Sequence, residues 1–84
     1  MMTLGELIDW HRPKLEDESV GVRRSWEEMF TYTLKHYSRS TPLETFALQI
    51  LSQRLAASGM HQQIVDGYVK RWHAVLASLY DNEA

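Results

Sequence analysis

The residues best able to move a proton or hold a metal are the four histidines, His11, His36, His61 and His73. They fall on three different stretches of the chain, and none belongs to an HExxH or other i, i+4 pair with a carboxylate partner. No G-x-S-x-G elbow presents a serine, and the glycine spacing matches neither a P-loop nor a dinucleotide fingerprint. Glu16, Asp17 and Glu18 are consecutive, so a helix would splay them to different faces and they read as a solvated loop. There is no cysteine, which removes thiolate zinc sites, disulfide scaffolds and cysteine nucleophiles. The expectation is a chain with no catalytic residue, no metal site and no cofactor of its own.

Cations and amides are the remaining candidates. Residues 20–40 carry Arg23, Arg24, Lys35 and Arg39 against Glu27 and Glu28, and residues 45–80 carry Arg54, Lys70 and Arg71 against Asp66 alone. The first eighteen residues instead hold Arg12 and Lys14 against five acids. Charge is therefore segregated, although the net charge is only −2. If the polar faces of the two basic stretches are neighbours, Arg23, Arg24, Lys35, Arg39, Lys70 and Arg71 would hold phosphates, and Gln62 and Gln63 would reach base edges. The competing reading of the same residues is an ordinary solvated face.

Four helical segments would carry these residues. Thr3 and Glu6 have capping-box spacing, followed by Leu4, Leu7, Ile8 and Trp10 or His11, with Pro13 kinking or ending the first helix. A second helix is predicted from Ser19 or Val20 to Tyr37, with an apolar stripe of Val22, Trp26, Met29, Phe30, Leu34 and Tyr37. Thr41-Pro42-Leu43-Glu44 predicts a third helix start, continued by Phe46, Ala47, Ile50, Leu51 and Leu55 and closed by Gly59. A fourth runs from near His61 to about Tyr80 on Ile64, Val65, Tyr68, Trp72, Val75, Leu76 and Leu79. Gly67 in its interior costs stability, or else admits a close neighbour or ligand. Trp26 and Trp72, both on apolar stripes, are expected in the core rather than stacked on bases.

With 84 residues, 44% of them apolar, the chain is expected to form one all-α domain, a compact bundle of four or five helices. No apolar run approaches the ~20 residues that span a bilayer. The start, Met1-Met2-Thr3-Leu4-Gly5-Glu6, has neither the basic nor the apolar region of a signal peptide. A cytoplasmic location is expected, with no membrane partner.

The order of features carries one resemblance. A short helix led by Thr3-Leu4-Gly5-Glu6-Leu7-Ile8-Asp9-Trp10 precedes a long aromatic helix, Trp26 to Tyr37. A third closes on Leu55-Ala56-Ala57-Ser58-Gly59, and a last one reads Ile64-Val65-Asp66-Gly67-Tyr68-Val69-Lys70-Arg71-Trp72. This resembles the N-terminal core-binding domain of tyrosine recombinases, the phage integrase family, over nearly the whole chain, through order and spacing rather than invariant residues. His61 stands where the family usually has a Ser or Thr cap, Ile64 stands in place of a Thr, and the domain is mildly acidic.

The resemblance implies a SAM-like fold that clamps recombination-site double-stranded DNA, with the second and fourth helices towards the major groove. It implies DNA strand exchange through a tyrosine–phosphate intermediate in the parent protein, whose catalytic groups sit in a separate C-terminal domain. Nothing in these 84 residues matches that constellation, so the chain would be a non-catalytic piece of a bacterial or phage recombinase, working beside other recombinase protomers. The alternative is a small helical protein–protein interaction or oligomerisation module.

Overall fold

A computed structural model describes residues 2–83; Met1, the first residue of the N-terminal stretch read above, and Ala84, the last of the polar tail, lie outside the described residues. The chain is all-α. It contains four α-helices, α1 (Leu4–His11), α2 (Val20–Thr33), α3 (Leu48–Ala57) and α4 (Gln62–Glu83), and no β-strand among the described residues. Short 3₁₀ turns cover Arg12–Leu15 and Leu43–Thr45. It divides into two compact units, Met1–Ala47 and Leu48–Ala84.

In the first unit, the expected capping box starts α1. The Glu6 amide donates to Thr3 Oγ1 at 3.2 Å, and the Thr3 amide donates to Glu6 Oε1 at 3.1 Å. Two more amides of the first turn are satisfied from far along the chain: Leu4 N–H donates to Thr41 O and Gly5 N–H to Arg39 O, each at 2.8 Å. That approach requires glycine at position 5, since a Cβ there would lie 2.8 Å from Arg39 Cβ. Pro13 ends α1 rather than kinking it: the α-helix stops at His11 and tightens into a 3₁₀ turn that buries Leu15.

Ser19 caps α2, its hydroxyl accepting from Val22 N–H at 3.3 Å. The buried face of α2 is Met29, Phe30 and Thr33. It is narrower than the predicted stripe, with Val22 37% exposed and Trp26 and Leu34 half-buried. α2 also ends at Thr33, four residues short of Tyr37. The Thr33 hydroxyl donates to Met29 O at 2.8 Å, which lets this polar residue be buried.

The predicted helix start at Thr41 is not one. Pro42 is extended (φ −62°, ψ 140°) and forms an isolated antiparallel bridge with Thr3, while Leu43 N–H donates to Met2 O at 3.2 Å. Only a single 3₁₀ turn follows before Phe46 (φ −82°, ψ 100°) breaks it. Phe46 is buried with its ring edge-on to Tyr37, centroids 5.1 Å apart.

The second unit is a pair of packed helices, α3 and α4. Gly59, the expected stop, has φ 92° and closes α3 in a Schellman arrangement: Gly59 N–H donates to Ala56 O and Met60 N–H to Leu55 O. His61 then caps α4 in place of a Ser or Thr, its Nδ1 accepting from Gln63 N–H at 3.1 Å. Leu51 and Leu55 are buried on α3, and Val65, Tyr68, Trp72, Val75 and Leu79 are buried on α4 at steps of three and four. Ile50 and Ile64, placed on the apolar stripes by their spacing, are instead 43% and 47% exposed. No described helix is long and apolar enough to cross a membrane.

Gly67 has no neighbour pressing on it. A Cβ built there meets nothing within 4 Å among the described residues, so no neighbour in this chain requires glycine and the conformational cost stands. Gly67→Ala should therefore raise stability by about 0.5–1 kcal/mol, read as a higher urea midpoint with an unchanged slope. A lower midpoint would mean that the site is not open.

Candidate nucleic-acid interface

Four of the eight candidate contact residues lie in each unit. In the first, Arg23 and Arg24 stand at the start of α2, exposed, in a helix whose first turn carries no acid. Neither makes an ion pair among the described residues. Lys35 follows the C-terminal end of α2, exposed, with its Nζ 4.6 Å from the centre of the Tyr32 ring. Arg24, Glu27, Glu28, Thr31, Tyr32 and Lys35 line one shallow groove of about 380 Å³ along α2.

Arg39 has a different role. Its Nη2 donates to Asp9 Oδ2 at 2.6 Å and to Gly5 O at 3.3 Å, tying the 39–41 loop to α1. Asp9 also meets Arg12 at 3.4 Å, and Arg12 grips Glu27 of α2 through Nε at 2.8 Å and Nη2 at 3.1 Å. The hydrogen bond to Glu27 raises the Arg12 pKa, burial opposes this in part, and the charges of Glu27 and Asp9 add to the rise. The chain Arg39–Asp9–Arg12–Glu27 is half-exposed, so each pair contributes about 0.2–1 kcal/mol. Its main consequence for binding is that two arginines are already neutralised within the unit.

In the second unit, Gln62 Nε2 donates to Asp66 Oδ1 at 2.8 Å, one helical turn away. That bond occupies one donor of a predicted base reader. Gln63 is exposed, with only its backbone amide held by His61. Lys70 is exposed, without an ion pair among the described residues, and shares an α4 face with Gln63 across Gly67. Arg71 is half-buried and already engaged.

Tyr32 and Thr31 are not among the sequence candidates; the spacing 24, 28, 31, 35 marks the helix face opposite the apolar stripe and points to Thr31, while Tyr32 borders that face. Among the described residues no three His, Asp or Glu side chains converge as a metal site would require. The Glu16–Glu18 run is an exposed turn, as its spacing suggested. No family model, no curated protein and no solved structure matches the chain.

Proposed function

We propose that this chain binds duplex DNA as a core-binding domain of the phage integrase type, with SAM-like topology and no catalysis of its own. The observation that carries the reading is how the cations divide. Arg12 and Arg39 are paired with carboxylates, whereas Arg23 and Arg24 on α2 and Lys70 on α4 stand exposed without an ion pair among the described residues. Exposed cations on a helix face suit phosphate contacts, and Gln63 beside Lys70 is the best placed side chain to reach a base edge. The resemblance in feature order supports the same reading, including its site-specific recombination context and the association with other recombinase protomers.

The direct test is fluorescence anisotropy of a labelled duplex titrated with the chain at low salt. Saturable binding that weakens with salt is expected; no binding at 50 mM salt would overturn the reading. The alternative is a small helical protein–protein interaction or oligomerisation module. A chain that self-associates or captures protein and ignores DNA would be such an interaction module.

A further inference from the structure

The last residue of α1, His11, lies inside the aromatic cluster of the first unit. Its ring centre is 4.7 Å from that of Trp26 on α2 and 6.4 Å from that of Trp10, and Trp26 continues to Phe30 at 6.1 Å. Both ring nitrogens, Nδ1 and Nε2, are buried, and neither has a hydrogen-bond partner among the described residues. The ring therefore serves as a flat apolar spacer between α1 and α2, a role that a phenyl ring would fill at lower cost.

An imidazolium in this position would be poorly supported. It would present two N–H donors with no acceptor among the described residues. The charged groups around it are mostly unhelpful. Lys14, on the 3₁₀ turn, sits with its Nζ 4.4 Å from the Trp10 ring centre. Arg12 is adjacent in the chain and lies over the Phe30 ring at 5.8 Å. The carboxylates at hand, Asp9 of α1 and Glu27 of α2, are already engaged by Arg12 and Arg39. Two terms favour the cation, its attraction for the Trp26 face and its place in the last turn of α1, where the helix dipole is negative. Consistent with this balance, burial first and the Lys14 charge second hold the His11 pKa below its ordinary 6.5.

We propose that His11 is an acid-sensitive latch, holding the end of α1 against α2 as a neutral ring and loosening that seam when it takes a proton. The unfolded chain takes the proton at the ordinary value and the folded chain only at a lower one. The latch is therefore complete above about pH 6.5 and is lost as pH falls through the folded value. The Arg12–Glu27 pair spans the same seam.

Two measurements test this on the whole chain. Nitrogen-detected NMR of the imidazole rings should show His11 protonating below the value of free histidine; protonation at or above that value overturns the latch. Urea midpoints should fall between about pH 7.5 and pH 5, and His11→Phe should remove much of that fall. A His11→Phe variant that folds yet keeps the wild-type pH dependence would overturn it too. If the variant does not fold, the wild-type ring titration decides alone.

Discussion

Trp72→Ala is expected to destabilise the protein by about 3–5 kcal/mol, the range for truncating a fully buried large aromatic. Trp72 has no exposed surface, and it occupies the middle of the buried α4 row formed by Val65, Tyr68, Val75 and Leu79. The loss combines the transfer energy of the indole with the cavity left by close-packed neighbours that relax only in part. A chain of this length has roughly 4–13 kcal/mol of stability in total, so the variant should sit near its unfolding threshold at 37 °C. Urea denaturation followed by far-ultraviolet circular dichroism measures this without depending on tryptophan emission. Trp72→Phe should lose less, because a ring remains. Trp26→Ala, at a half-buried position, should also cost less. A Trp72→Ala loss under about 1.5 kcal/mol would mean that this residue is not the centre of its core.

Local signals in the sequence account for much of the architecture, and the failures have one physical source. The Thr3–Glu6 box, the Ser19 start and the left-handed Gly59 all depend on backbone groups within a few residues, and all are found, while Pro13, which could have kinked or ended α1, ends it. Thr41-Pro42-Leu43-Glu44 has an equally good local pattern but does not start a helix. Its backbone is engaged elsewhere, with Thr41 O accepting from Leu4, Pro42 bridging Thr3 and Leu43 donating to Met2. Burial of Phe46 against Tyr37 then holds the chain extended until Leu48. The early end of α2 belongs to the same arrangement, since residues 39–41 must return to cap α1. Long-range pairing of this kind leaves no periodicity to read. The candidate site divides in the same way: its positively charged stretches are visible from residue types, but the pairing of Arg39 with Asp9 depends on a contact thirty residues away.

If the DNA reading holds, the sharpest expected effect is on the salt dependence of binding. Arg23 and Arg24 of the first unit, each neutralising one phosphate, contribute about −1.8 to the slope of log affinity against log salt. That contribution alone makes affinity fall roughly 12-fold between 50 and 200 mM salt. The double variant Arg23→Glu, Arg24→Glu removes two contacts and adds repulsion. It should weaken binding by about tenfold or more at 50 mM and make the slope shallower by about 1.8. Both residues are exposed on the outer part of α2, so the fold should persist, as circular dichroism would confirm. Arg39→Gln is the informative control. Its guanidinium is held by Asp9 and Gly5 O, so its loss should leave the salt slope unchanged. Gln63→Ala should separate sequence readout from bulk attraction, changing the preference among duplexes without changing the slope. Equal losses from Arg39→Gln and from the double reversal would mean that ion pairing within the unit does not decide which cations meet phosphate, and the argument from unpaired charge would fail. A slope near zero with intact binding would place the contact on something other than the phosphate backbone.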